Sequence, residues 1–138
     1  MDRGTSNKKI EDLWHSQNFL HDPDFVSSLV DISDITLSDT VIEIGAGKGV
    51  ITKQLSKRAN KVIAIEYDNQ LAQQLREKFS GSTNVDIVEA DFLNWSLPNF
   101  RYKVFSNIPF EYTSRILEKL LLSLNSPEDT YLIMQDLA

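Results

Sequence analysis

The sequence predicts an α/β fold built on a mostly parallel sheet of about five strands. Short β-branched apolar runs alternate with longer stretches whose apolar residues recur at helical spacing. The 138 residues, 41% hydrophobic and 25% charged, are enough for one buried core and too few for two. Cysteine is absent, which excludes a disulfide framework, thiolate zinc sites and a Cys nucleophile.

In chain order, a helix is expected over 24–32, with Pro23 suited to its start and Phe25, Val26, Leu29 and Val30 as its buried stripe. Strands follow over 40–44, 61–65, 85–88, 103–105 and 130–134, each a short run of the kind that fits a buried sheet. Crossover helices are expected at 50–58, 69–79 and 114–124, the last carrying Ile116, Leu117, Leu120, Leu121 and Leu124 at helical spacing. Residues 91–101 read as loop. No repeat or Ser/Gly linker divides the chain. Residues 1–12 are polar and expected to be a flexible tail, leaving 13–138 as one domain.

Composition narrows the function. No apolar run approaches the roughly 20 residues of a membrane span, and the N-terminus lacks the apolar stretch of a signal peptide, so a cytoplasmic protein is expected. His15 and His21 are the only histidines, which leaves little for a His-based triad or metal site. The formal net charge of −6 argues against a dedicated nucleic-acid domain, since phosphate binding usually brings a basic face.

The sequence Glu43-Ile44-Gly45-Ala46-Gly47-Lys48-Gly49 closes the first strand and opens a helix, and 21 residues after Gly45 stands Glu66 at the end of the second strand. Glycines there let the backbone turn and approach a ligand, and a carboxylate at that place can accept both hydroxyls of an adenosine ribose. A Walker loop fails on spacing. The dinucleotide pattern G-x-G-x-x-G needs glycine where Val50 stands, so a hydride-transfer enzyme is disfavoured. The remaining pattern, E-x-G-x-G-x-G, resembles motif I of the class I S-adenosylmethionine (SAM) methyltransferases. Asp91, followed by Phe92 after the third strand, can accept from an adenine amino group or simply cap a turn.

After the fourth strand comes Ser106-Asn107-Ile108-Pro109-Phe110. The Asn107 side-chain oxygen and the Ile108 carbonyl can take the two hydrogens of an exocyclic amine, aiming its lone pair at a methyl donor. Pro109 stiffens the turn and holds Ile108 extended, and Phe110 offers a face on which a base can stack. Such a displacement needs positioning more than a strong base, which suits a chain nearly without histidine.

Together, Gln17-Asn18-Phe19-Leu20, the glycine loop, Glu66, Asp91 and Asn107-Ile108-Pro109-Phe110 resemble the rRNA adenine N6-methyltransferases. That family contains the macrolide-resistance (Erm-type) enzymes and the small-subunit dimethyladenosine transferases. The resemblance spans residues 14–138. It implies a Rossmann-like class I SAM methyltransferase fold, SAM as methyl donor and ribosomal RNA as partner, with a monomer expected. It also implies that Gln17, Asn18 and Leu20 cover the methionine end of SAM. The same resemblance makes Glu43, Gly45, Gly47, Glu66, Asp91, Phe92 and Asn107 cofactor contacts, and Asn107 to Phe110 the catalytic set. Lys48 within the glycine loop and the short segment between Asp91 and Asn107 lean to the Erm side. Phe110 stands where the small-subunit enzymes more often have tyrosine, keeping the ring and losing a hydroxyl.

The family's sheet is completed by a further hairpin and followed by a small helical RNA-binding domain. The chain is therefore expected to be an N-terminal, five-stranded portion, with a SAM-binding module lacking turnover as the competing reading. The cations Lys48, Lys53, Lys57, Arg58 and Lys61 form either a phosphate track or a solvated helix face.

Overall fold

The computed structural model describes residues 20–135. Five strands, β1 (Thr40–Ile44), β2 (Lys61–Glu66), β3 (Val85–Glu89), β4 (Lys103–Pro109) and β5 (Thr130–Gln135), form one sheet in the order β3-β2-β1-β4-β5. All pairings are parallel. Helices α1 (Pro23–Ile32), α2 (Val50–Ser56), α3 (Asn69–Lys78) and α4 (Phe110–Leu122) make the crossovers and the entry.

The strand alternation sorts the core into two layers. Val41, Val62, Ala64 and Phe105 face α1, α2 and α3, where Val30, Leu55, Leu75 and Phe79 meet them. Ile42, Ile44, Ile65 and Val104 face the other side, where Ile116 and Leu120 of α4 cover them. The chain runs outward from β1 to β3, then returns to place β4 against β1, so α4 lies on the opposite face from α2 and α3. A reversal of this kind opens a crevice at the C-terminal ends of β1 and β4.

Local signals set several boundaries. Pro23 occupies the first turn of α1, and the Asp22 side chain accepts from the Asp24 N–H at 2.9 Å. Asp68 caps α3 in the same way through the Leu71 N–H at 2.9 Å. Three expectations are corrected. β4 does not stop at Phe105, because pairing with β5 continues from Val104↔Thr130 to Pro109↔Gln135. Asn107, Ile108 and Pro109 are thus strand residues, not a turn, and Pro109 ends the strand in an extended conformation (φ −57°, ψ 139°) that directly enters α4. The helix therefore begins at Phe110 instead of 114. A 3₁₀ turn, Phe92–Asn94, also stands in the stretch expected to be loop.

The expected flexible tail over 1–12 lies outside the described residues, as do Gln17 and Asn18. Among the described residues no helix is long and apolar enough to cross a membrane.

Candidate active site

The glycine loop leaves β1 at Ile44 with three left-handed residues, Gly45 (φ 74°), Gly47 (φ 56°) and Gly49 (φ 85°). They serve different ends. A Cβ at Gly49 would lie 2.8 Å from Phe79 Cε2 and 2.9 Å from Leu75 Cδ2, so this glycine lets α2 seat against α3. A Cβ at Gly45 or Gly47 would meet nothing within 4 Å, so these two face open space. The Gly45 and Ala46 N–H groups both donate to the Ile65 carbonyl, at 2.8 and 3.2 Å, strapping the loop to β2.

Glu66, at the end of β2, is buried. Its Oε1 accepts from the Gly47 N–H at 2.8 Å and its Oε2 from the Asp68 N–H at 2.9 Å. Two backbone donors thus fix the carboxylate, which keeps free lone pairs for further hydroxyls. The role in holding the loop was not expected from the sequence.

Two cleft lobes meet at Gly45. The first, about 380 Å³, is walled by Glu66, Asp91, Phe92 and Ile108. The second, about 320 Å³, is walled by Leu20, Glu43, Gly47 and Asn107. Apart from Pro109 and Phe110, the predicted residues that are described therefore divide between a wide apolar compartment and a more polar one. Asn107 and Ile108 fall in different lobes because neighbouring strand residues point to opposite sheet faces. Pro109 and Phe110 line neither; Phe110 is 62% exposed at the start of α4.

Asp91 caps the 3₁₀ turn: its Oδ1 accepts from the Leu93 N–H at 3.1 Å and its Oδ2 from the Asn94 side-chain amide at 3.2 Å. The same residue lines the first lobe. Capping and ligand contact are thus compatible. In β4, the Ser106 hydroxyl donates to the Ile44 carbonyl at 2.7 Å, tying β4 to β1 beside the crevice. The Asn107 Oδ1 is buried and finds no hydrogen-bond donor among the described residues. A buried acceptor left unpaired is costly and marks a place for a ligand's donor.

Glu43 is buried at the base of the second lobe, where the Thr52 hydroxyl donates to its Oε1. Burial pushes its carboxyl up to about 8, helped by the neighbouring Glu66 charge and opposed by the Thr52 hydrogen bond. At neutral pH it is mostly a neutral acid.

Several lining residues were missed from sequence. Tyr67, Tyr112 and Arg115 line the first lobe, and His21 the second. A helix beginning at Phe110 puts Tyr112, Arg115 and Ile116 at i, i+3 and i+4; a start at 114 hid that pattern. Lys119, also missed, donates to the carbonyls of Phe92 and Trp95. Of the five cations considered as a track, Arg58 pairs with Asp31 at 2.7 Å and Lys61 with Asp86 at 2.9 Å, leaving a weaker basic face.

The family described as "Ribosomal RNA adenine dimethylase" matches residues 8–137. An rRNA adenine N-6-methyltransferase of Bacteroides fragilis is 41% identical over 116 residues, covering 84% of this chain and 44% of that protein. A probable ribosomal RNA small subunit methyltransferase A of Methanosarcina mazei is also 41% identical, over 105 residues, covering 76% of this chain and 38% of that one. Among solved structures, the 23S rRNA methyltransferase ErmE superposes with a TM-score of 0.74 at 31% identity, covering 83% of this chain and 46% of ErmE. The chain spans under half the length of these relatives. The all-parallel sheet agrees with these matches, and the chain belongs to the ribosomal RNA adenine dimethylase family.

Proposed function

We propose that the cleft binds SAM, with the adenosine in the first lobe and the methionine in the second, and that the protein transfers a methyl group to N6 of an adenine in ribosomal RNA. One observation carries the reading: the buried Asn107 Oδ1 on the wall of the second lobe, which has no hydrogen-bond donor among the described residues. Oδ1 accepts one hydrogen of the target amine, and the Ile108 carbonyl beside it accepts the other. The lone pair of N6 is then held toward the cofactor.

The residues present fit SAM. Glu66 is poised for the ribose hydroxyls, Asp91 and the Phe92 backbone for the adenine edge, and Gly45 and Gly47 leave room for the chain between lobes. Leu20 lines the second lobe, and Gln17 and Asn18, which lie outside the described residues, are proposed with it as contacts of the methionine end of SAM. Glu43, mostly neutral and tied to α2 through Thr52, adds little charge beside the sulfonium. When bound, SAM supplies a methyl group on a sulfonium whose thioether leaves readily. The protein's share is alignment, which contributes several kcal/mol in such reactions, and Phe110 holds the target base by stacking.

Within the family, the 23S-type target of the macrolide-resistance class is favoured by Lys48 in the glycine loop and by the short segment from Asp91 to Asn107. The small-subunit target is the alternative, since relatives of both kinds match at 41% identity. Titration calorimetry with S-adenosylhomocysteine (SAH) tests the cofactor assignment; a chain that binds NAD and not SAH would sink it. Asn107→Ala is expected to abolish methyl transfer to ribosomal RNA with SAH affinity retained, and parental activity in that variant removes Asn107 from the chemistry. Methylation-dependent reverse-transcription stops on both ribosomal RNAs identify the target.

A further inference from the structure

We infer that Lys119 is a positioning residue for the adenosine half of the cofactor, acting through the 3₁₀ turn that walls the first lobe. The inference rests on the SAM reading above. The turn Phe92–Asn94 has only two i→i+3 bonds of its own, Asn94 N–H to Asp91 O at 3.0 Å and Trp95 N–H to Phe92 O at 3.2 Å. So short a 3₁₀ turn has little backbone bonding to hold its conformation. Side chains hold it from both ends.

At its N-terminal end the Asp91 carboxylate accepts from the Leu93 N–H. At the other end the Lys119 ammonium donates to the carbonyls of both Phe92 and Trp95 and stands 4.6 Å from the centre of the Phe92 ring. Negative charge at the N–H end and positive charge at the carbonyl end both favour the turn. Lys119 reaches it from α4, whose Ile116 and Leu120 are locked into the core. Burial pulls the Lys119 ammonium below its ordinary range, opposed by the Asp91 charge, as expected for a cation largely committed to internal partners. Asp91, Phe92 and Leu93 all line the first lobe. Lys119 itself does not, so it acts on the ligand only through the turn.

The test titrates SAH and adenosine into the 138-residue chain and into Lys119→Met and Lys119→Arg. Measurements are made well below the thermal midpoint, with amide exchange at Asn94 and Trp95 followed in parallel. Lys119→Met is expected to weaken both ligands by one common factor, about tenfold, and to speed exchange of those amides. Lys119→Arg, which retains charge and donors, is expected to restore most of the affinity. A merely structural lysine would lower the thermal midpoint and leave both affinities at the parental level, which overturns the inference. Loss confined to SAH also overturns it, because adenosine alone occupies the lobe that the turn shapes. If Lys119→Met does not fold, Lys119→Gln is read the same way. Should the parent bind neither ligand, the cofactor reading fails and the positioning role falls with it, while a parent that binds both ligands and a variant with unchanged exchange and affinity overturn the Lys119 claim alone.

Discussion

Thr52 of α2 donates its hydroxyl hydrogen to the Glu43 carboxyl of β1, and both side chains are withdrawn from solvent, at 0% and 2% exposure. The bond fixes an acid under the glycine loop, yet it does not overcome the burial that lifts the Glu43 carboxyl to about 8. A folded-state value above the ordinary 4.5 means that the unfolded chain ionises first as pH rises. The contribution of Glu43 to stability is therefore complete below about pH 4.5 and lost as pH climbs through about 8. Within that window the slope approaches about 1.4 kcal/mol per pH unit. Glu43→Gln, which keeps the shape and an acceptor for Thr52, is expected to remove this slope. Urea midpoints of parent and variant at pH 5 and pH 8 decide it: parallel pH profiles would refute the buried neutral acid.

The three loop glycines are expected to respond unequally to alanine. All lose the freedom of a left-handed backbone, which costs about 1 kcal/mol. Only Gly49→Ala also drives a methyl group into Phe79 and Leu75, adding about 1–3 kcal/mol of overpacking. Thermal midpoints should then fall furthest for Gly49→Ala. SAH affinity should instead suffer most for Gly45→Ala and Gly47→Ala, whose positions face the cleft. Equal stability losses at Gly45 and Gly49 would contradict the packing role of Gly49.

Phe110 presents a different balance. Its ring is 62% exposed and closes neither lobe, so Phe110→Ala is expected to change stability by no more than about 0.5 kcal/mol. Methyl transfer should nevertheless fall roughly tenfold or more, since base stacking on an aromatic ring contributes about 1–3 kcal/mol. Phe110→Tyr should keep most of the activity. SAH affinity unchanged in both variants would place the effect on the target base, and activity unchanged in Phe110→Ala would remove the stacking role.

What could be read from the sequence was whatever is local or spaced along one segment. The glycine loop, Glu66 and Asp91 could be placed because each sits at the end of a short apolar run, and strand ends are where a parallel sheet gathers its site. The end of β4 could not. Asn107-Ile108-Pro109 looks like a turn until β5, beginning at Thr130, is seen to pair along it as far as Pro109. That pairing is tertiary, and it also moved the start of α4 and hid Tyr112 and Arg115 as lining residues. Nothing in the sequence singles out Lys119. Its partners are carbonyls 24 and 27 residues earlier, and backbone acceptors carry no residue-type signal.

The end of the sheet opposite the cleft supplies the last prediction. Asp39, just before β1, is buried, and its Oδ2 accepts from the Thr36 N–H at 2.7 Å and from the Lys103 ammonium at 3.0 Å. Lys103, equally buried at the start of β4, also donates to the Asp34 carbonyl at 2.9 Å. Burial by itself raises the Asp39 carboxyl, but the Thr36 and Lys103 hydrogen bonds and the Lys103 charge outweigh it and hold the group below 3.8. Its stabilising contribution is thus present above that value and lost as pH falls through the folded-state value. Lys103→Met leaves a buried carboxylate with only Arg101, 3.0 Å from Oδ1 and partly solvated, as its cation. Breaking a buried pair in this way costs about 3–5 kcal/mol, and the lower end is expected because Arg101 remains. The variant should regain part of the loss as pH falls, because Asp39 without Lys103 takes up a proton more readily than in the parent. Asp39→Asn combined with Lys103→Met should recover more of the stability at neutral pH than Lys103→Met alone. Chemical denaturation of the parent and these variants at pH 7 and pH 4.5 measures both effects, and a Lys103→Met variant as stable as the parent at pH 7 would show that the pair does not hold β1 to β4.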